Sequence, residues 1–472
     1  MQWFPKHKRR LSMHHRILVV HGLFSGYMLS FLFEGRVLYA LLAQYELSFS
    51  TLIFGAIGAN FLGMLLCPFF LASRKEVKKL YLGSLGFYVV LLPMFFFPPN
   101  ALWLPFILVA SFLAGGLVSG WGFFLRDTVP KKDRMKVLCD LLILSNLVML
   151  LLNVSAVFIS PVASLLVSMG LLLLALYLSN GLEVEESLGA VQGKVNGEGK
   201  SPLFPLVYLI LFITLITVNS GLMYQVVVPS FAHLDTLTSW YFAVPYMGAL
   251  LFLRFLPKGL FLKDFLYVAV AMMGLSFVAF MMTEPTVRGY FLVNTLMLGS
   301  FGIFDLFWWS ILGEMLELQE NPSRIFGFGL AANLLGIFLG GSLGVFFMAR
   351  GEAKEQGPVL ALGVVFVSLG FLPFLHRQLR NVLKDHAFLQ AFATLTTGEQ
   401  ESQGDKLKKL GALSERESQV AMLLLKGKTY KNIGLELSIS ENTVKYYVKN
   451  IYAKFEIQSR AELISLMESA KG

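Results

Sequence analysis

The sequence predicts an all-α, polytopic membrane protein of about twelve transmembrane helices, arranged as two groups of six, with a small four-helix domain at the C-terminus. Of its 472 residues, 56% are hydrophobic and only 15% are charged. The hydrophobic residues form separate runs of about 20, the length that spans the hydrocarbon core of a bilayer. The last sixty or so residues instead show short amphipathic helical patterns separated by turn signals.

Twelve apolar runs account for most of the chain. They predict helices at about 17–42, 48–72, 80–97, 101–125, 137–159, 161–179, 204–228, 238–256, 264–282, 290–312, 325–349 and 358–375. The first six-helix bundle is expected over 17–179 and the second over 204–375, with the polar segment 180–203 as a flexible linker. Residues 1–16 form a basic N-terminus, and the first run lacks a cleavage site, so we expect an uncleaved first helix.

Lys and Arg cluster in alternate connections between these helices. The basic residues after the second and fourth helices are Arg74, Lys75, Lys78, Lys79, Arg126, Lys131, Lys132, Arg134 and Lys136. The connections after the first, third, fifth and seventh helices carry neither Lys nor Arg. The positive-inside rule therefore predicts cytoplasmic N- and C-termini, which an even helix count also requires. We expect a multi-pass protein of the inner (cytoplasmic) membrane.

This arrangement of six plus six helices with a central loop resembles the major facilitator superfamily of transporters, over about residues 16–376. The family's signature after the second helix pairs Gly with an Asp-Arg-x-Gly-Arg cluster. Here the corresponding stretch is GMLLCPFFLASRKEVKK, which keeps Gly63 and the basic residues but lacks Asp-Arg-x-Gly, and its second-half counterpart FLRFLPKGLFLK is equally degenerate. The resemblance implies the fold, whereas the altered signature counts against transport.

Composition changes abruptly after the last apolar run. Residues 376–411 predict a helical stalk and a loose tether, and a separate domain is expected over 412–472. Ser414 and Glu417 form an S-x-x-E capping box that marks a helix start. From Asp405 onward the chain has twelve Lys and Arg residues and eight Asp and Glu residues. The resulting excess of positive charge is favourable for binding the negatively charged phosphates of nucleic acid.

The domain carries the pattern of a helix-turn-helix. A second helix is expected at about Thr429–Leu437, and after a tight turn Ser440 can cap a third at about Glu441–Phe455. Ser459 with Glu462 marks the start of a fourth. Two helices joined by a turn of three or four residues have helix-turn-helix geometry. The third helix turns three apolar residues toward the core, namely Val444, Val448 and Ile451.

The opposite face of the third helix is polar. Asn442, Lys445 and Lys449 can point away from the core, and an amide and two cations are groups that read base edges in a major groove. Thr443 and Lys454 suit contacts to phosphates. We therefore expect double-stranded DNA to be a partner of this domain.

The same segment resembles the DNA-binding domain of the LuxR/NarL family, whose motif runs L-T-x-R-E, then G, I-A, S-x-x-T-V-K-x-H, N-I, K-L and S-R. The matching residues are Leu413, Arg416, Glu417, Gly427, Ile433, Ser440, Thr443, Val444, Lys445, Asn450, Ile451, Lys454, Ser459 and Arg460. The resemblance implies that the third helix enters the major groove and that the fourth mediates a homodimer on DNA. The predicted DNA-binding set is Asn442, Thr443, Val444, Lys445, Lys449 and Lys454. Gly434, Tyr447 and Phe455 depart from the motif, so it does not imply an operator sequence.

A few polar residues within the apolar runs are candidates for a small-molecule site, because ionisable groups in a bilayer usually face the bundle interior. The predicted ligand-binding set is Glu34, Arg36, Asn219, Tyr224, Gln225, Asp305 and Trp308, with Trp309 beside it. The competing interpretation is structural, with Glu34 paired to Arg36, Asp305 bonded inside the bundle and the tryptophans at an interface. Gly336, Gly340 and Gly344 predict close helix packing, within the chain rather than between chains.

No motif for an enzyme, a metal or a cofactor is present, and Cys67 and Cys139 have no metal-binding or disulfide spacing. We therefore expect no enzyme activity, no cofactor and no metal site. Three functions remain: a one-component LuxR-type regulator that senses a small molecule in its membrane domain, a major-facilitator-type transporter with an appended regulatory domain, and an anchor that holds DNA at the membrane. The bland alternative for the C-terminal domain is a helical bundle with a solvated basic face.

Overall fold

Helices make up nearly all of the described chain in the computed structural model. The described residues are 12–32, 35–43, 50–182, 203–255, 262–316, 319, 321–393, 405–426, 428, 430–457 and 460–469, and no β-strand occurs among them. The chain divides into two compact units. One contains Met1–Glu186 with Leu209–Pro373, and the other contains Ser187–Tyr208 with Phe374–Gly472.

Eleven of the described helices are long and apolar enough to cross a bilayer, and one more is apolar but shorter. In the first half they are α1 Met13–Ala43, α2 Ser50–Leu66, α3 Arg74–Phe96, α4 Trp103–Thr128, α5 Lys131–Ile159 and α6 Pro161–Asn180. In the second half they are α7 Leu206–Ser230, α8 Ala232–Arg254, α9 Phe265–Met282, α10 Val287–Met315, α11 Pro322–Ala349 and α12 Ala353–Leu379. Each of the twelve predicted runs coincides with one of these helices, and the all-α polytopic fold is confirmed.

Local sequence signals set several of the helix starts. Ser73 caps α3 in a capping box with Glu76, whose side chain accepts from the Ser73 amide at 3.0 Å. Ser160 caps α6 and Asn321 caps α11, each followed by Pro at the first helical position. The Asn321 side chain also donates to backbone carbonyls in the connection between α2 and α3, at 3.0 and 2.8 Å. One cap therefore also ties the second half to the first.

Glycines bring α11 against α7. A Cβ at Gly340 would lie 2.0 Å from the carbonyl oxygen of Val218, and one at Gly336 would lie 2.0 Å from the Thr217 hydroxyl oxygen. Gly344 sits against the side chain of Gln225 in the same way. Small residues let helix backbones approach in a membrane, where van der Waals contact is the main attraction between helices. The prediction that this glycine face packs within the chain is confirmed.

The C-terminal domain has four helices, α13 Glu415–Leu425, α14 Tyr430–Leu437, α15 Glu441–Lys454 and α16 Arg460–Ser469. Its core is built from fourteen buried apolar residues, Leu407, Leu413, Val420, Ala421, Leu423, Leu424, Leu425, Ile433, Val444, Val448, Ile451, Leu463, Ile464 and Met467. Ser414 and Ser440 cap α13 and α15 as predicted. The predicted cap at Ser459 lies outside the described residues.

A tight turn closes α14 and starts α15. Ser438 has φ of 55°, and the amide of Ile439 donates to the carbonyl of Gly434 at 2.8 Å. An α-helix commonly ends in this way, with one residue in the left-handed conformation just after its last turn. A Cβ at Gly434 would lie 2.7 Å from the Ile439 carbonyl oxygen. Gly434 stands where the family motif has Ala. Because glycine has no Cβ, the backbone of the turn can pass close to this position.

One ion pair joins the first and third helices of the domain. Lys454 Nζ lies 2.6 Å from Glu417 Oε2 and 3.1 Å from the carbonyl of Ala412, and the same Glu417 oxygen accepts from the Ser414 amide at 2.7 Å. Burial raises the pKa of Glu417, but the hydrogen bonds from Lys454 and Ser414 outweigh it and hold that pKa below its usual value. The carboxylate is 5% exposed, so the pair is part of the domain's framework.

We expect Gly340→Ala to destabilise the membrane domain by about 1–3 kcal/mol, because the added methyl overlaps a backbone oxygen that cannot move without shifting α7. Thermal unfolding of the purified full-length protein, followed by tryptophan fluorescence, measures this. Gly370→Ala in α12 is the matched control, since a Cβ there has nothing within 4 Å. Equal melting temperatures for the two variants would contradict the close packing of α7 and α11.

The Glu417–Lys454 pair predicts a pH dependence. The pKa of Glu417 is lower in the folded chain than in the unfolded chain, where it is about 4.3. Its contribution is therefore complete above that pH and is lost as pH falls through the folded-state value. We expect Glu417→Gln to lower the domain's stability by up to about 1 kcal/mol at neutral pH, with the gap to wild type closing in acid.

Hydrogen exchange at the α13 and α15 amides of the full-length protein, corrected for intrinsic exchange rates, measures this gap. Lys408→Gln, which removes an exposed cation paired with Glu415, is the control. A gap that stays constant with pH would show that the charge of Glu417 has no structural role.

Candidate DNA-binding face and membrane cavity

Helix α15 has one buried and one exposed face. Val444, Val448 and Ile451 lie in the core, with 0–4% of their surface exposed. The opposite face carries four exposed side chains, Asn442, Lys445, Tyr446 and Lys449. Residues three and four apart are neighbours on a helix surface, so these four form one continuous patch, which we call the α15 face.

The cations of the α15 face differ in their partners. Lys445 Nζ is 2.7 Å from a carboxylate oxygen of Glu441, one helical turn earlier. No carboxylate pairs with Lys449 among the residues that the structure describes. Thr443 serves the helix start, because its amide and hydroxyl bond the Ser440 hydroxyl at 3.1 and 2.8 Å. The face thus offers an amide, an aromatic ring and two cations.

Two of the predicted DNA contacts have structural roles within the domain. The Val444 side chain is fully buried, so it holds α15 in the core and presents no exposed atoms to DNA. The ammonium of Lys454, which was predicted to contact a phosphate, is bonded to Glu417 and Ala412, and its side chain is 38% exposed. The family motif includes both Val444 and Lys454. A sequence motif does not distinguish residues that stabilise the domain from residues that are exposed to DNA.

Tyr446 is a surface residue that the sequence reasoning missed. Its side chain is 61% exposed, and it lies four positions after Asn442 and three before Lys449, a spacing that could have revealed it. The neighbouring Tyr447, which replaces the family's His, is partly buried against the domain core. The aromatic ring available on the α15 face is therefore that of Tyr446.

The membrane unit contains a partly open cavity of about 260 Å³. Helices of both halves line it, and apolar side chains dominate the lining. Three of the predicted ligand-binding residues, Tyr224, Asp305 and Trp308, lie in this lining together with Trp309. The prediction that these groups face a common interior space is therefore supported by their placement.

The other predicted ligand-binding residues lie elsewhere. Asn219 is fully buried and its amide nitrogen is 3.1 Å from the sulfur of Met273. Gln225 packs over Gly344, and Arg36 forms an ion pair described below. Glu34 lies outside the described residues. A polar residue within an apolar run is predicted to lie in the membrane-spanning bundle. The run does not indicate which face of the helix that residue occupies.

Two ion pairs join the halves at the two ends of α8. Near its start, Asp235 accepts from Arg36 of α1 at 2.6 Å, and Arg36 also donates to Thr238 at 2.7 Å. At its end, Arg254 lies 2.7 Å from Asp140 of α5. The sequence suggested Glu34 as a partner of Arg36. It did not predict the bond from Arg36 to Asp235, because these two residues are 199 positions apart in the chain.

Between these ion pairs α8 contributes Tyr246 to the cavity. The Tyr246 hydroxyl donates to Asp305 of α10 at 2.5 Å, as the structural interpretation of Asp305 foresaw in general terms. Three asparagines from three other helices also line the cavity, namely Asn60, Asn146 and Asn333, and the lining further includes Ser25, Ser145, Thr217 and Ser220. The sequence reasoning missed Tyr246 and these asparagines, since nothing in an apolar run marks which polar residues converge.

Short π-helical segments interrupt the first helix of each half beside the cavity. They occupy Met28–Leu32 in α1 and Met223–Val227 in α7. Met28 and Tyr224 from these segments line the cavity. Such irregular turns inside helices frequently occur at functional sites, and interruptions at corresponding positions of two halves are a pointer to a binding site in transporter folds.

Comparison with known sequences identifies the C-terminal domain. Residues 411–467 match the luxR family of bacterial regulatory proteins. The chain is 36% identical over 89 residues to the transcriptional activator protein ExaE of Pseudomonas putida, covering 18% of this chain and 42% of ExaE. It is 46% identical over 54 residues to an HTH-type transcriptional regulator of Aeromonas salmonicida, covering 11% and 28% of the two chains. The chain spans less than half the length of these relatives.

Comparison with solved structures concerns the membrane part. A bacterial homologue of the iron transporter ferroportin matches with a TM-score of 0.58 and 13% identity, over 77% of this chain and 99% of that one. The proton:xylose symporter XylE gives 0.56 and 14%, over 77% and 95%, and the human organic anion transporter MFSD10 gives 0.55 and 15%, over 78% and 100%. The protein therefore joins a multi-span membrane part with the major facilitator fold to a C-terminal domain that matches the luxR family of bacterial regulatory proteins.

Proposed function

We propose that the protein is a membrane-bound one-component transcriptional regulator, which binds DNA through its C-terminal domain and senses a small molecule through its membrane domain. The observation that carries this proposal is the α15 face, an exposed set of DNA-reading side chains on a luxR-family domain. The chain that carries it also contains an interior cavity with polar groups. No separate sensor protein is needed if the cavity binds the signal.

In this proposal α15 enters the major groove of double-stranded DNA. Asn442 and Lys445 are placed to reach base edges, while Lys449 and Tyr446 lie one turn further along the same face and suit the backbone. By analogy with its family, α16 mediates a homodimer on a two-fold site. Thr443 acts mainly by capping α15, and Val444 and Lys454 act through the stability of the domain.

Signalling requires that the ligand bind two arrangements of the membrane domain with different affinity. Helix α8 is suited to report such a difference, because it contributes Tyr246 to the cavity and carries an ion pair to the first half at each end. The Arg36–Asp235 and Arg254–Asp140 pairs tie α8 to α1 and α5 in this structure. A second arrangement in which α8 has moved would lengthen or break at least one of them.

The proposed location is the inner membrane, with both termini in the cytoplasm. If the shorter helix α2 crosses the membrane with the eleven long ones, the spans number twelve, and an even number would put both termini on one side. The basic residues that follow α2 and α4 favour the cytoplasmic side. A domain that binds DNA has to lie in that compartment. Some of these basic residues also have structural bonds, as Arg134 does to the carbonyl of Gly313 at 2.9 Å.

A second candidate is a transporter with an appended regulatory domain. The observation in its favour is that the membrane part aligns with 95–100% of the length of solved transporters. Uptake by proteoliposomes of a compound that binds the cavity would support it. A third candidate, a passive DNA anchor, requires DNA affinity that is indifferent to any cavity ligand.

The sensing proposal has a direct test. We expect the affinity of the full-length protein in lipid nanodiscs for a DNA fragment selected from its own genome to change at least about fivefold when a cavity ligand binds, the lower end of typical coupling energies. Fluorescence anisotropy of labelled DNA measures the change. Asp140→Asn, which removes one α8 ion pair, should shift the affinity without ligand, whereas an affinity that no ligand or variant alters would favour the anchor.

The DNA-binding face has its own test. We expect Lys449→Ala to weaken binding of every DNA sequence alike and to reduce the slope of log affinity against log salt by about one, because one phosphate contact is lost. Lys454→Ala is the contrasting variant, since its ammonium is held by Glu417. It should lower the domain's stability and leave the salt slope unchanged. The reverse pattern would mean that Lys454, and not Lys449, meets the backbone of DNA.

A further inference from the structure

The cavity has a single acidic side chain and no basic one. Asp305 is the one Asp or Glu in the described lining, and no Lys, Arg or His lines it. Asp305 receives a hydrogen bond from Tyr246 on one oxygen. A carboxyl group has further acceptor positions beyond this one bond, and Asp305 belongs to the cavity lining.

An unpaired carboxylate in a membrane interior is costly and calls for a partner. No cation lies within ion-pair distance of Asp305 among the described residues, whereas Asp235, Asp140 and Asp127 each have an arginine partner. The cavity is therefore the place from which a cation would reach Asp305.

Other parts of the lining suit a cation as well. Phe304, Trp308 and Trp309 place aromatic rings in the lining beside Asp305, and the faces of such rings attract ammonium groups. The buried amide oxygen of Asn60 has no hydrogen-bond partner among the described residues, so it can accept from an N–H donor. The described lining therefore combines one carboxyl group with an amide oxygen and aromatic rings.

The same lining argues against two other classes of ligand. A transition-metal ion needs several donors, usually imidazoles, thiolates or grouped carboxylates, and the described lining holds one carboxylate with no His or Cys. An anion would meet a carboxylate without any cation to offset it. The volume of about 260 Å³ is below the roughly 300–1,000 Å³ of pockets for drug-sized ligands, so the ligand is small.

We propose that the cavity binds a small organic amine, whose protonated nitrogen is held by Asp305 and whose apolar body packs against the aromatic wall. Tyr246 positions the carboxylate through its hydroxyl. The inference deepens the proposed function, since it names the class of small molecule to be sensed at this site. Because Tyr246 belongs to α8, an amine that draws Asp305 toward itself also acts on the helix that carries both inter-half ion pairs.

Three matched probes test this inference: phenylbutylamine, phenylbutanol and phenylbutyrate, which share a body and differ in charge. Binding to the full-length protein in phosphatidylcholine nanodiscs is followed by the melting temperature and by quenching of cavity tryptophan fluorescence. We expect the amine to bind about tenfold more tightly than the alcohol, and the acid to bind least. If the amine binds no better than the alcohol to the wild-type protein, the inference is wrong.

Variants assign the preference to its residue. Asp305→Asn should bring amine and alcohol to equal affinity, while Glu314→Gln, which removes a carboxylate from the same helix outside the cavity lining, should keep the tenfold preference. Tyr246→Phe leaves the carboxylate in place and should retain a preference for the amine. Should Asp305→Asn fail to fold, the ranking of the three probes with the wild-type protein still decides whether the ligand class is right. An amine preference that survives in Asp305→Asn would also overturn the assignment.

The DNA readout separates this inference from the proposed function. Amine binding that depends on Asp305 but leaves DNA affinity unchanged would support the ligand class and refute sensing. DNA affinity that responds to the alcohol and the amine alike would support sensing and refute the ligand class.

Discussion

The hydrocarbon interior of a bilayer offers no hydrogen-bond partners, and most of this structure follows from that constraint. It forces the backbone into helices that satisfy their own amides and carbonyls. Polar side chains on those helices find partners in the protein, as when Tyr88 donates to the carbonyl of Ala110 at 2.9 Å and Thr217 to that of Ile213 at 2.7 Å. Asp305 differs from these groups in being an acid that faces the cavity with no basic side chain in the described lining.

The C-terminal domain lies in water, so the burial of apolar side chains stabilises it. Water solvates its surface, and burial of fourteen apolar residues stabilises the fold. The Glu417–Lys454 pair then fixes α15 against α13, which sets the direction of the α15 face. The buried residues of α15, which pack in the core, are therefore different from the four exposed residues of the α15 face.

The elements that could be predicted are those with a local cause. Twelve membrane helices were predictable because each run is apolar for the thickness of a bilayer, and Ser414 was predictable as a cap because its partner is three residues away. Asp305 was visible as an acid inside an apolar run. The bonds from Arg36 to Asp235 and from Lys454 to Glu417 join residues 199 and 37 positions apart. Such pairs depend on how helices pack, which no local pattern records.

The bond between Glu441 and Lys445 has a consequence for affinity under the proposed function. For its ammonium to reach a nucleotide, Lys445 would have to leave a carboxylate 2.7 Å away. Glu441 therefore competes with every duplex for the same cation and lowers the affinity for all DNA sequences alike. Discrimination between sequences is then left to the base contacts of the α15 face, because a uniform loss cancels in the difference between two affinities.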